Sequence, residues 1–237
     1  MRRTAGGNGH RLGGIPYGFG DLGRDSVAGV GPPVKTAVHP SASQYGALMP
    51  HAPALLVLDM QNAAVAISHR PEETVTTIAL LQERAHAAGV PVITVQHDGP
   101  GLEPGTEAWR TVAELAPGEG EGEKTVRKGT ADAFLDSDLG PFLTALGVTE
   151  VVVTGFATEF CVDTTARQAL SRGYDLVLVA DGHTTSARPD VDGFVASDRA
   201  VMHHNAIYRH ISFPGRSIRV LPAADVDFTA PQVPDPA

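Results

Sequence analysis

The sequence predicts one α/β domain built on a parallel β-sheet. From about residue 53 to residue 222, short apolar runs rich in β-branched residues alternate with segments of helical periodicity. This alternation is typical of successive βαβ units. The chain has 237 residues, 42% of them hydrophobic, which is enough for one sizeable core. No apolar run approaches the ~18 residues that cross a bilayer, so we expect no membrane partner.

The two ends of the chain differ in composition from the part between them. Residues 1–50 contain 11 of the 26 glycines and no sustained apolar period, which indicates a flexible Gly-rich extension. Residues 226–237 are predicted to form a Pro-rich tail, so the domain spans residues 51–225. No continuous apolar segment follows the basic pair Arg2 and Arg3, and a secretory signal is therefore not expected.

Five strands can be predicted in chain order. Each is a short apolar run bounded by glycine, proline or charged residues, and the first ends in the carboxylate of Asp59. The long segment between the second and third strands contains an acidic run and predicts a solvated loop, in which Lys128 lies. The predicted strands are residues 54–59, 90–96, 151–155, 175–180 and 217–221.

Four helices are predicted between these strands. The first begins at Pro71, which suits a helix start because two acidic residues follow it, and Gly89 suits its C-cap. The third begins near Cys161 and stops at Gly173. The predicted helices are residues 71–88, 139–146, 161–173 and 190–209.

Charge and cysteine content exclude several classes of function. The chain has 18 basic and 27 acidic residues, a formal net charge of −9. Because contacts with a phosphate backbone need clustered Lys and Arg, we do not expect nucleic acid as a partner. The single cysteine, Cys161, excludes an intrachain disulfide framework and a multi-cysteine metal site, and it indicates a reduced, cytoplasmic protein.

Polar residues follow the predicted strands at their carboxyl ends, where open parallel sheets bind ligands. Cys161 falls in the first turn of a predicted helix, where free N–H groups and the helix dipole lower the pKa of a thiol. We expect Asp59 to remove the thiol proton. We expect Lys128 to lower the pKa values of Asp59 and Cys161, because its positive charge stabilises their negative charge.

Each of these three residues also has a purely structural interpretation. Cys161 fits a small buried side chain, Asp59 a cap of a turn and Lys128 a solvated loop residue. A catalytically silent α/β binding domain with a redox-sensing thiol therefore stays open as an alternative to an enzyme.

Three separated segments carry a resemblance to a known family. They read LVLDMQ at residues 56–61, RKGTADAF at residues 127–134 and VTGFATEFCV at residues 153–162, and together they resemble the isochorismatase-like cysteine hydrolases. The resemblance covers residues 53–221 and leaves out the extension. It implies a three-layer, Rossmann-like sandwich with a central six-stranded parallel sheet.

The resemblance also implies a catalytic arrangement. Asp59 would be the base, Lys128 its electrostatic partner and Cys161 the nucleophile. A non-proline cis peptide just before Ala157 would direct the backbone N–H groups of Ala157 and Cys161 to one spot, as an oxyanion hole. Such an enzyme hydrolyses an amide C–N bond of a small molecule through a thioester, without a cofactor.

Other residues are candidates for contact with the substrate, and two of them have alternatives. His97 also fits a structural histidine bonded to the backbone, and Trp109, the only tryptophan, fits a loop anchor. His203 and His204 are assigned a structural or interface role. The candidates for substrate contact are Gln61, His97, Trp109, Phe156 and Phe160.

The sequence departs from the motifs of some subfamilies, and these departures restrict the class of substrate that we expect. Nicotinamidases of this superfamily carry Asp-x-His and a further histidine at a metal site after the second strand, whereas residues 96–100 read QHDGP here, so we expect no metal. The segment from His97 to Trp109 resembles hydrolases near the streptothricin hydrolases, which open a cyclic amide. Acidic charge would steer a cationic substrate. Carbamoyl or ureido amidohydrolases and a nicotinamidase-like amidase stay as alternatives, and the resemblance implies a homo-dimer or homo-tetramer.

Overall fold

Six strands form one sheet in the computed structural model, which describes residues 51–118, 120, 122–190 and 193–229. They are β1 (Pro53–Leu58), β2 (Val92–His97), β3 (Glu123–Lys128), β4 (Glu150–Phe156), β5 (Asp175–Thr184) and β6 (Ile218–Leu221). All neighbouring pairs are parallel, in the order β3-β2-β1-β4-β5-β6. The expected six-stranded parallel sheet is confirmed.

Helices cover both faces of this sheet and give three layers. They are α1 (Asn62–Val65), α2 (Pro71–Ala87), α3 (Leu139–Ala145), α4 (Asp163–Arg172) and α5 (Ser197–His210), with short 3-10 turns at Ala113–Leu115 and Ala223–Asp225. Residues of α2 pack with Leu55 and Val57, whereas residues of α3, α4 and α5 pack with Leu56 and Leu58. β1 is therefore buried on both faces, as its uninterrupted apolar sequence predicts.

The third strand in the chain, β3, lies where a loop was predicted. It is an edge strand that pairs only with β2, so one side of it faces solvent, and Thr125 and Arg127 are exposed while Val126 and Lys128 are buried. A polar edge strand lacks the apolar run by which the other strands were predicted. Lys128 is thus the last residue of a strand and not a solvated loop residue.

Two element boundaries differ from the prediction by four residues or more, in each case for a local reason. β5 continues to Thr184 because its pairing with β4 shifts register between Val153 and Gly155 and then resumes. α5 begins at Ser197 and not at Asp190. The Asp190 carboxylate instead accepts hydrogen bonds from the N–H of Ala196, just before the helix, and from the side chain of Arg199, in its first turn.

Residues just after the predicted domain boundary at residue 225 pack against the domain. Val226 and Phe228 are buried in the same apolar cluster as α2, and Arg84 donates to the carbonyl groups of Ala223 and Val226. The predicted extension, residues 1–50, and the last eight residues lie outside the described part of the chain. None of the described helices is both long and apolar enough to cross a membrane.

Candidate active site

The carboxyl ends of the central strands bring three predicted residues together. β1 and β4 are neighbours at the point where the strand order reverses, the usual ligand position in such sheets. Asp59 follows β1 directly, and Cys161 lies in the turn that follows β4. Lys128 ends β3, two strands away from β1, and its long side chain reaches back to both.

The Lys128 ammonium is the centre of the cluster. Its Nζ lies 2.7 Å from Asp59 Oδ2, 3.1 Å from the Thr130 carbonyl oxygen, 3.2 Å from His97 Nδ1 and 3.3 Å from Cys161 Sγ. Asp59, Lys128 and Cys161 are each at most 2% exposed. The three predicted catalytic residues thus form one buried contact cluster, and the partly buried His97 lies in contact with it.

Charge in this cluster is balanced between Lys128 and Asp59. Burial alone would lower the pKa of Lys128, but attraction by the negative charge of Asp59 outweighs it, and the pKa of Lys128 is raised. The cluster therefore holds one ammonium and one carboxylate in direct contact, a buried ion pair that is costly to break from one side.

The thiol of Cys161 is shifted in the direction opposite to the prediction. Burial raises its pKa strongly, the negative charge of Asp59 raises it further, and Lys128 only partly offsets them. Cys161 also lies in the wide π-type turn Thr158–Val162, ahead of α4, so it does not occupy the first turn of the helix itself. The resting side chain is a neutral thiol.

The turn that holds Cys161 begins with a cis peptide bond between Phe156 and Ala157, as the family resemblance implied. The Ala157 carbonyl accepts hydrogen bonds from the N–H groups of Phe160 and Val162, at 3.0 and 3.2 Å. Both neighbours of Cys161 in the chain therefore direct their N–H groups to one carbonyl, which fixes the backbone around the thiol.

Comparison with known proteins shows which family the chain belongs to. The family model described as the isochorismatase domain matches residues 53–204, which include all three residues of the cluster. The chain belongs to the isochorismatase family.

Relatives within the isochorismatase family include two streptothricin hydrolases from Streptomyces noursei. One is 39% identical over 192 residues, covering 78% of this chain and 73% of that protein. The other is 38% identical over 188 residues, covering 75% of this chain and 65% of that protein, so this chain spans just under two thirds of its length. The solved structure of an isochorismatase from Pseudomonas putida KT2440 is 28% identical with a TM-score of 0.64, covering 75% of this chain and 93% of that chain.

The donor atoms of Asp59, His97 and Cys161 are of the kinds that bind metals, and they lie within 4.8 Å of one another. Lys128 Nζ contacts all three, at 3.3 Å or less. A divalent cation among these donors would have to displace the ammonium or face its charge. The residues present therefore do not fit a metal.

Gln61 and Trp109 are occupied by contacts within the protein. Gln61 is fully buried, and its amide nitrogen donates to the carbonyl oxygens of His97 and Trp109, at 3.0 and 2.8 Å. The Trp109 indole N–H donates to Asp98, which also pairs with Arg127, and the Arg127 guanidinium lies over the Trp109 ring. These contacts match the loop-anchor interpretation of Trp109.

The two phenylalanines of the last motif differ in burial. Phe156 is a core residue, 2% exposed, whereas Phe160 is partly buried and its ring centroid lies 6.2 Å from that of Phe194. Arg188 lies over the Phe194 ring and also pairs with Glu159, next to Phe160. The segment after β5 is thus attached to the turn at Glu159 and at Phe160.

Further residues of this region were missed by sequence reasoning or were given no role. His183 Nδ1 lies 2.8 Å from Thr158 Oγ1, and His183 Nε2 lies 3.0 Å from Asn205 Oδ1. This network ties the turn of Cys161 to α5. His183 follows a predicted strand, and this position could have marked it as a candidate site residue. Nothing in the local sequence predicts Asn205 as its partner. His203 is exposed, and His204 contacts the carbonyl of Ala200 on its own helix.

Proposed function

We propose that this protein is a cysteine-dependent amidohydrolase that cleaves a C–N bond of a small molecule. The observation that carries the proposal is the buried contact cluster of Asp59, Lys128 and Cys161. Membership of the isochorismatase family, in which a relative of this chain is named as a hydrolase, supports the reaction class. A purely structural cysteine would not need a buried ammonium and a buried carboxylate beside it.

In the proposed mechanism the thiol proton moves to Asp59 as Sγ attacks the amide carbonyl carbon. Asp59 Oδ1 is buried and has no hydrogen-bond partner among the described residues, so it is the acceptor available for that proton. The negative oxygen that forms is held by the backbone N–H groups of Ala157 and Cys161. The C–N bond then breaks, and Asp59 returns the proton to the leaving nitrogen.

Water completes the reaction. It attacks the thioester carbonyl while Asp59 accepts one of its protons, the C–S bond breaks, and the proton returns to Cys161. Lys128 stays charged throughout and offsets the negative charge that shifts between Asp59 and Cys161. Because burial and Asp59 raise the pKa of the thiol, the proposed mechanism couples loss of the thiol proton to the attack on the carbonyl carbon.

We further propose the lactam of streptothricin, a cyclic amide, as the substrate. Two relatives named streptothricin hydrolase, at 39% and 38% identity, favour it over the linear ureido and carbamoyl amides and over nicotinamide. The formal net charge of −9 suits a cationic substrate, because long-range attraction raises its rate of encounter.

A hydrolysis panel tests both levels of this proposal. Streptothricin, nicotinamide, ureidoacrylate, N-carbamoyl amino acids and biuret are offered to the wild type and to Cys161→Ser, with products followed by mass spectrometry. We expect turnover of streptothricin by the wild type and a loss of at least about a thousandfold in the variant. Turnover of another amide instead would contradict the substrate, and equal rates in both proteins would contradict the mechanism.

A further inference from the structure

The Lys128 ammonium has more contacts than it has hydrogens. An ammonium carries three N–H groups and accepts no hydrogen bond, yet four groups lie within 3.3 Å of Nζ. The Asp59 carboxylate at 2.7 Å and the Thr130 carbonyl at 3.1 Å can only accept. His97 at 3.2 Å and Cys161 at 3.3 Å are left with one hydrogen between them.

The imidazole of His97 is the better acceptor of the two. Its Nδ1 faces a group that can only donate, so Nδ1 carries the lone pair and the ring proton is on Nε2. Burial and the positive charge of Lys128 lower the pKa of His97 and outweigh the opposite effects of Asp59, the Thr130 backbone and Asp98, so the ring is neutral at neutral pH. A neutral imidazole nitrogen accepts hydrogen bonds more strongly than the sulfur of an uncharged thiol.

The position of His97 is fixed by its surroundings. Gln61 holds both backbone groups of this residue: the His97 N–H donates to Gln61 Oε1 at 2.9 Å, and the His97 carbonyl accepts from Gln61 Nε2 at 3.0 Å. The ring lies against Gly99, where a Cβ would come within 3.3 Å of Nε2. The fully buried Gln61 thus serves to hold His97 at the end of β2.

We propose that His97 is a positioning residue for the reaction: its Nδ1 takes the third hydrogen of Lys128, which leaves the Cys161 proton on sulfur until Asp59 accepts it. The kinetic part of this inference rests on the proposed function. With the ammonium fully engaged by Asp59, Thr130 and His97, the thiol proton has one route, to Asp59 Oδ1, and from there it reaches the leaving nitrogen. Sulfur therefore gives its proton to Asp59 as it forms the bond to the carbonyl carbon, and that proton is not lost to solvent.

Within the part of the chain that the structure describes, few titratable groups lie close to the thiol, so the effect of one can be isolated. Asp59, His97 and Lys128 approach it from the ends of β1, β2 and β3. On its own turn, the Glu159 carboxylate pairs with Arg188 and Thr185.

Three substitutions of His97 test the role of Nδ1. His97→Leu removes the acceptor, and His97→Gln places its amide nearer to the position of Nε2. His97→Asn is the matched control, because its amide oxygen reaches about as far as Nδ1. Each variant is alkylated with iodoacetamide across the pH range, and its kcat and KM are measured on the amide identified by the panel.

In the Leu and Gln variants we expect the freed Lys128 hydrogen to turn to sulfur. Alkylation near neutral pH should become faster by about threefold or more, and kcat should fall by about tenfold or more with KM unchanged. The Asn variant should keep the wild-type alkylation profile and most of kcat. If the Leu variant does not fold, the comparison of Gln with Asn decides.

Two outcomes would overturn the inference. One is an alkylation profile that is unchanged in the Leu and Gln variants or changed equally in the Asn variant. The other is a rise in KM alone, which would make His97 a substrate contact. Alkylation needs no substrate, so a panel in which nothing is hydrolysed would defeat the proposed function while the alkylation profiles still decide the role of His97.

Discussion

At the scale of single residues, the site depends on a carboxylate with two opposite effects. Asp59 accepts the thiol proton during the proposed reaction, yet its charge also raises the pKa of Cys161 in the resting protein. The same group therefore suppresses the reactivity of the thiol toward general electrophiles and enables its reaction with a bound amide. A substitution can separate these two effects.

We expect Asp59→Asn to abolish hydrolysis and to accelerate alkylation of Cys161. Loss of the carboxylate removes the charge that disfavours the thiolate and leaves the ammonium of Lys128 to stabilise it, so the reaction with iodoacetamide at neutral pH should become faster by about tenfold or more. Asp98→Asn is the control, since Asp98 binds Trp109 and Arg127 and not the thiol. Slow alkylation in Asp59→Asn would contradict this account of the thiol.

The sequence predicted the members of this cluster but not its electrostatics. Asp59 and Cys161 were indicated by their place after strands, and Lys128 by its motif. The predicted direction of the thiol pKa shift was wrong. The shift depends on burial and on the distance to Asp59, and a linear sequence pattern contains neither. The engagement of Lys128 by the Thr130 carbonyl and by His97 Nδ1 is likewise a three-dimensional property.

At the scale of elements, the turn of Cys161 depends on how closely β4 approaches β1. Gly155 has a φ of +118°, and a Cβ there would lie 2.1 Å from the Leu58 carbonyl oxygen, in the backbone of β1. No side chain fits that space. The glycine permits the two strands to pair next to the start of the turn, and so it helps to place Cys161 beside Asp59.

We expect Gly155→Ala to destabilise the protein by about 3 kcal/mol or more, because neither backbone can move without disturbing the central strands. Gly129→Ala is the control, since a Cβ at Gly129 meets no atom within 4 Å. Urea denaturation followed by circular dichroism measures both. A Gly155→Ala protein whose free energy of unfolding lies within about 0.5 kcal/mol of the wild type would show that the approach is less tight than described.

Elements with strong apolar or capping signals were predicted well. α2 was placed within one residue by Pro71 and Gly89, and β1 by its apolar run. β3 and the start of α5 were missed, because an edge strand and a helix preceded by a polar segment have no distinctive periodicity. β3 is defined by its pairing with β2, and the start of α5 by the contacts of Asp190.

At the scale of the whole molecule, one buried histidine links stability to pH. His183 is 3% exposed, and burial lowers its pKa from 6.5 to about 4. The unfolded chain takes up a proton at this histidine below about pH 6.5, whereas the folded chain stays neutral there down to about pH 4. Acid therefore favours the unfolded state over this interval.

We expect the His183 contribution to remove about 2–3 kcal/mol of stability between about pH 7.5 and about pH 4.5. Urea denaturation at both values is compared for the wild type, His183→Gln and His203→Gln. The first variant should lose less stability on acidification than the wild type by about that amount, and the second, at an exposed residue of α5, should behave as the wild type. Equal losses in the wild type and His183→Gln would contradict this.

The position of Lys128 on an edge strand has a consequence for how activity is lost on heating. β3 has one neighbour in the sheet, and strands of this kind open by local fluctuation before the central strands do. Each opening withdraws the ammonium from Asp59 and Cys161 while β1 and β4, buried at the centre, stay intact. We therefore expect the proposed activity and the integrity of the fold to be lost separately on heating: the fraction of molecules with a complete cluster should fall first and leave molecules that are folded but inactive.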